Sequence, residues 1–173
     1  MLVQLTKNLN SLNFRMSKLL SKPLKRLEEV PRGKQLSSLG NVFSQNKLLY
    51  SLEDIYRNFT GLTSFGNFTQ CVNIRSVRLP EGPTSLGVQA FWRDVSWDLL
   101  DLPSTMTNVN WGNVRYLAVL VCRATTPPTF RNNYYSSSTK LYVPQDSISL
   151  YQADANWSVY NNIYPIEGSE YED

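Results

Sequence analysis

Histidine is absent from all 173 residues, which removes Ser-His-Asp triads, histidine metal ligands and a histidine pH switch together. Cysteine is nearly as scarce. Cys71 and Cys122 are too few for a disulfide framework or a four-cysteine zinc site. Charged residues make up 18% of the chain, against roughly 25% in an average globular domain. No apolar run approaches the ~20 residues of a membrane span, so no membrane span is expected, and there is no P-loop and no G-x-G-x-x-G run. The first stretch, MLVQLTKNLNSLNFRMSKLL, does not hold the roughly 7–15 unbroken apolar residues of a secretory signal; Gln, Lys, Asn or Arg interrupts it every second or third position. The chain is therefore expected to stay on the cytoplasmic side of a Sec pathway, with both cysteines reduced and packed in a core. Ser and Cys occur without a partner base, no Lys stands in a nucleophile motif, and the carboxylates Asp98 and Asp101 lack a complementary acid, base or metal cluster. A non-enzymatic protein with no cofactor and no metal is the expectation.

What is present is apolar and aromatic. Hydrophobic residues make up 42% and aromatics 12%, with ten Tyr and four Trp, so the chain has material for a core and is not disordered. Ser, Thr and Asn replace the missing charge, a mixture that suits a β-rich body with many turns. The charge is unevenly placed. Residues 1–35 carry eight basic side chains against Glu28 and Glu29, whereas the last seven residues, EGSEYED, carry four acidic ones. A basic arm on a mildly acidic body fits an anionic surface or acidic protein, or a plain solvated helix face. The arm has one aromatic, Phe14, and no Arg-rich or Gly-rich run, so nucleic acid is not an expected partner.

Leu2, Leu5, Leu9, Leu12, Met16 and Leu19 fall at alternating spacings of three and four, the a and d positions of a heptad seam. Pro23 stops or kinks that helix. Leu20, Leu24 and Leu27 resume the pattern one residue out of step, and Pro31-Arg32-Gly33 breaks it again. Asn8, Asn10 and Asn13 weaken the first helix, so it needs something to cover its leucines. The body of the same chain, further copies of it, or another protein could do so; the narrow seam favours docking or oligomerisation. Residues 1–35 are thus expected to be a helical arm and residues 36–173 a separate domain.

That domain repeats itself. SLGNVFSQNKLLYSL at 38–52 is echoed by SFGNFTQCVNIRSV at 64–77, offset by 25 at Phe43/Phe68, Leu49/Ile74 and Leu52/Val77. IRSVRLP at 74–80 becomes WDLLDLP at 97–103, an offset of 23, and Trp97, Leu100 and Leu102 pass to Leu117, Leu120 and Cys122 at an offset of 20. A period of 20–25 with an L-x-x-L-x-L core is the signature of a leucine-rich repeat. One strand per repeat cannot bury its own inner face, so the copies are expected to stack as a parallel sheet. Ile74/Trp97/Leu117 and Val77/Leu100/Leu120 should form inward columns, with Phe43, Phe68, Phe91 and Trp111 in the layer behind. Pro80 and Pro103 should lead the chain out of each strand. Leu141-Tyr142-Val143-Pro144 should add a final strand, Asp146-Ser147 should cap a short helix through Tyr151, and Trp157, Tyr160, Ile163 and Ile166 should close the open end.

The run S-F-G-N-F-T-Q-C-V-N-I-R-S-V-R-L-P resembles the BspA-like leucine-rich repeat, through Ser64, Phe65, Gly66, Phe68, Cys71, Ile74, Val77, Leu79 and Pro80. A second copy supplies Leu86, Gly87, Ala90, Phe91, Trp97, Leu100, Leu102 and Pro103, and residues 121–130 and 140–166 resemble the closing cap of such proteins. The resemblance implies a mainly β solenoid over about residues 36–166, with the cap at about 124–166 and an acidic tail at 167–173. BspA-like repeats are typical of surface adhesins of gut and oral bacteria and of structural proteins of phages that infect Bacteroidales-type gut bacteria. The few copies and the seamed arm point to the second: a virion structural or attachment protein, assembled in the host cytoplasm. Its partners would be other virion proteins or copies of itself, with a host surface protein or glycan as a further candidate. A bacterial adhesin fragment or intracellular scaffold, on the surface or in the cytoplasm, is the alternative. Tyr134 and Tyr135, beside three serines, are candidate surface contacts because Tyr and Ser combine rigid area with adaptable hydrogen bonding; an ordinary polar loop is the alternative there.

Overall fold

The computed structural model describes residues 64–65, 75–87, 96–110, 116–131 and 137–173. Outside the described residues lie the arm with Leu2, Leu5, Leu9, Leu12, Met16 and Leu19, and also Phe43, Phe68, Cys71, Ile74, Phe91, Trp111, Tyr134 and Tyr135.

Two parallel sheets alternate along the chain. The larger holds β2 (Ser76–Arg78), β4 (Trp97–Leu102), β6 (Leu117–Cys122), β8 (Lys140–Val143) and β9 (Asn162–Pro165), in that order. The smaller holds the two-residue strands β1 (Ser64–Phe65), β3 (Ser85–Leu86), β5 (Asn108–Val109) and β7 (Thr129–Phe130). From β1 to β8 the strands alternate between the two sheets, and the domain is a mainly β parallel solenoid of about three turns with a short helix between β8 and β9. The sequence pattern predicts a single strand per repeat; the second arises because the Leu-Pro corner turns the chain and the next apolar residue finds its own counterpart one turn away. Leu86, Val109 and Phe130 stack in register and are buried. They form the layer behind the large sheet among the described residues.

The large sheet has the expected register. Val77 stands beside Leu100, Leu100 beside Leu120, and Trp97 beside Leu117. The column continues through Leu141 to Ile163. Strands β4 and β6 carry the same burial pattern, with the first, fourth and sixth residues buried on the inner side and the fifth, Asp101 or Val121, buried on the outer side. That is the L-x-x-L-x-L rule made physical: each inward leucine is covered by its copies above and below. Burying one leucine side chain is worth ~1.5–3 kcal/mol.

The corners repeat as faithfully as the strands. Thr107 Oγ1 donates to the Thr84 carbonyl at 3.0 Å, and Thr129 Oγ1 to the Thr107 carbonyl at 3.1 Å. The Glu81 carboxylate accepts from the Ser104 amide and hydroxyl, both at 2.9 Å, clasping one Leu-Pro corner to the next.

The C-terminal cap departs from the sequence expectation in two places. Leu141-Tyr142-Val143 lies in a strand, but β9 pairs beyond it and is the last. The helix, α1 (Ile148–Ala153), has Ser147 at its N-cap without a side-chain capping bond. The Ser147 hydroxyl instead donates to the Thr125 carbonyl at 2.8 Å, because the preceding turn competes for it. Trp157, Tyr160 and Ile166 are buried as expected, and Ile163 is half-buried. Trp157 stacks on Phe130 at 4.7 Å and meets Tyr151 edge-on at 5.1 Å, so the aromatic cap closes over the end of the small sheet. Its indole Nε1 donates to the Pro128 carbonyl at 2.8 Å.

Candidate contact surface

The outer face of the large sheet is where charge and aromatic side chains gather. Because Val77, Leu100, Leu120, Leu141 and Ile163 point inward, their strand neighbours point outward. One outward row reads Arg78, Asp101, Val121, Tyr142 and Tyr164 in register across all five strands.

Electrostatics organises one end of that row. Asp101 is 1% exposed although it lies on the outer side. Its carboxylate accepts Arg123 Nε on Oδ1 at 2.9 Å, and Arg123 Nη2 and Arg78 Nε on Oδ2 at 3.0 and 2.7 Å. The Asp101 hydrogen bond holds the Arg123 guanidinium above its ordinary pKa. A second, exposed pair joins Arg75 Nη2 to Asp98 Oδ1 at 2.9 Å.

The acidic C-terminal segment lies across the same row. Gly168 adopts φ +76, a left-handed turn that glycine makes without a Cβ clash, and the chain folds back. The Asp173 carboxylate accepts Arg78 Nη1 on Oδ1 at 2.7 Å and Arg123 Nη1 on Oδ2 at 3.0 Å. Arg123 Nη2 also donates to the Tyr171 carbonyl at 2.8 Å, and the Tyr171 ring meets Tyr142 edge-on at 4.7 Å. Partial burial, then Glu170, raises the Tyr171 phenol to about 12. Val121, between the two attachment points, is fully buried.

Aromatic surface remains at the other end. Tyr142 and Tyr164 lean together at 5.4 Å, Tyr164 is 39% exposed, and Tyr116, just before β6, is 60% exposed. On the opposite side of the solenoid, a groove of about 670 Å³ is lined by Asn108, Pro127, Pro128, Arg131, Asp154 and Asn156 among others.

Asp98 pairs with Arg75, just before β2, and Asp101 with Arg78 on β2, and among the described residues no group of three or more Cys, Asp or Glu converges on a metal position. Cys122 is buried, and desolvation pushes its thiol up to about 11. Its sulfur lies 3.2 Å from the Tyr151 hydroxyl, which donates to the Ala124 carbonyl at 2.8 Å. Among the described residues, no helix is long and apolar enough to cross a membrane.

Sequence reasoning had singled out neither arginine, nor Tyr142, Tyr171 or Asp173. A signal for part of the cluster existed: aligning IRSVRLP on WDLLDLP sets Arg75 over Asp98 and Arg78 over Asp101, opposite charges at two of the three non-core positions. Comparison with family models, curated protein sequences and solved structures returned no match.

Proposed function

We propose that this chain is a non-enzymatic structural or attachment protein of a phage virion, working by surface contact from a BspA-like leucine-rich-repeat body anchored through residues 1–35. The observation that carries the contact reading is the outer sheet face, where Tyr142 and Tyr164 share one row with the arginine–aspartate cluster. Tyrosines on a fixed backbone offer large contact area at small entropy cost, and paired charges set which partner fits. The leucine-rich-repeat assignment is supported by the register offsets of 23 and 20 between successive L-x-x-L-x-L strands. Placement in a virion is supported by the sequence resemblance and by the narrow seam at Leu2, Leu5, Leu9, Leu12, Met16 and Leu19, which suits a repeated protein lattice presenting partners at high local concentration.

Mass spectrometry of purified particles tests the placement. The chain should be found in them, and a version lacking residues 1–35 should stay folded yet fail to incorporate. Recovery from host cell fractions alone would turn the assignment to a bacterial adhesin fragment or scaffold.

A further inference from the structure

Two guanidinium groups meet one buried carboxylate at the end of the outer row. Asp101 balances one of the two positive charges, and the Asp173 carboxylate balances the other. The geometry is a fork. Arg123 is held at two points by Asp101 and is only 16% exposed, so its Nη1 is fixed in direction before anything binds. Arg78 Nη1 faces the other oxygen of the same incoming carboxylate. Next to this fork lies the Tyr142 ring, which the ring of Tyr171, two residues before Asp173, meets in a T-shaped contact.

The occupant is loosely held. Asp173 is 67% exposed, and its pair with the half-exposed Arg78 is a surface ion pair of the individually weak kind, so its firmer hold is the one on Arg123. The turn behind it closes on itself: the Ser169 amide donates to the Ile166 carbonyl, and the Gly168 amide to Glu172 Oε2. The first of those bonds survives if Tyr171, Glu172 and Asp173 lift away, whereas the Gly168–Glu172 bond and the Tyr171 amide bond to Ser169 Oγ are given up. Beneath them lie Val121 and Asp101, both almost fully covered in the closed form.

We propose that Arg78, Arg123 and Tyr142 form a recognition site for an aromatic-x-acidic peptide segment, filled in the isolated chain by its own Tyr171-Glu172-Asp173 and opened when a partner protein's segment of the same chemistry displaces it. The tail is the template: a carboxylate for the fork, an aromatic ring two residues earlier for Tyr142, and a backbone carbonyl for Arg123. The tethered tail competes at an effective concentration in the millimolar range, so only a partner held close in an assembly wins the exchange. This proposal rests on the reading of the chain as a contact module and names the chemistry of its partner.

The test is fluorescence anisotropy with a labelled heptapeptide of sequence EGSEYED, titrated with the full chain in about 0.1 M salt. The chain carrying Y171A and D173N should bind the peptide at least about tenfold more tightly than the unaltered chain, because its own tail no longer competes. Adding R78Q should remove that gain, since Arg123 still satisfies Asp101 while one tine of the fork is lost. A charge-matched scrambled peptide should bind at least about tenfold more weakly than EGSEYED, the size expected when one aromatic contact is withdrawn. Circular dichroism establishes that each variant is folded, and D173N alone serves if the double variant is not. Equal peptide affinity in the altered and unaltered chains, indifference to R78Q, or equal binding of the scramble would overturn the site. Peptide binding by a chain that is missing from particles leaves the site standing and removes the virion; a chain present in particles that ignores the peptide does the reverse.

Discussion

Arg123 grips Asp101 with two nitrogens, Nε at 2.9 Å and Nη2 at 3.0 Å, from the end of one strand to the outward side of the next. The carboxylate is 1% exposed, so almost nothing but arginine solvates it. Removing one partner of such a pair strands the other.

The two arginine–aspartate pairs should therefore differ sharply. Asp101→Asn leaves Arg78 and Arg123 only the exposed Asp173 carboxylate as a shared counter-ion and should cost about 1.5–3 kcal/mol of unfolding free energy, the worth of charged hydrogen bonds lost at a buried acceptor. Asp98→Asn breaks an exposed pair whose members are 55% and 57% exposed, and should cost about 0–1 kcal/mol. Urea unfolding of both variants measures the contrast, and similar losses would contradict the burial argument.

Neighbouring leucines on β4 make a second contrast. Leu100 faces the core and is 1% exposed, whereas Leu99 faces outward and is half-buried. Leu100→Ala should cost about 2–5 kcal/mol through lost burial and a cavity between Val77 and Leu120. Leu99→Ala should cost less than about 1.5 kcal/mol, since its site opens to water. Equilibrium unfolding again decides, and a larger loss at Leu99 would reverse the assignment of faces.

Closure of the solenoid end depends on Trp157. Trp157→Phe removes the donor to the Pro128 carbonyl and thins the stack on Phe130. A loss of about 2–3 kcal/mol is expected, from an unsatisfied buried carbonyl plus the void beside it. Hydrogen exchange should show β7 and the cap weakening first, ahead of β4.

Alkaline pH should weaken the fold through Cys122. Burial lifts its thiol from 9.0 to about 11, so the unfolded chain ionises first. The stability is whole below pH 9 and falls as the pH rises toward 11, by about 2 kcal/mol at pH 11 for this group. Tyr151 and Tyr160, also raised by burial, act in the same direction at higher pH. Unfolding free energies of the native chain and Cys122→Ala, measured from pH 7 to 11, should converge as the pH rises. A constant gap between them would show that the thiol titrates normally.

The sequence by itself determined the turn length and the inward columns. A parallel stack places each residue one period from its counterpart, so WDLLDLP over IRSVRLP and LAVLVC over WDLLDL already state which leucines touch. The same alignment held the arginine–aspartate pairs across β2 and β4. The two-residue strands of the small sheet were not legible, because Ser85-Leu86 or Asn108-Val109 is too short to show a period and gains its pairing only when turns stack. The Ser147 hydroxyl could not be assigned either, since a cap and a neighbouring carbonyl compete for one donor. Least legible was the tail: EGSEYED reads as solvated charge, and only the folded sheet, by setting Arg78, Arg123 and Tyr142 along one row, decides that Tyr171 and Asp173 return to it. Contacts one period apart are written into a repeat; contacts between its end and its face are made by folding.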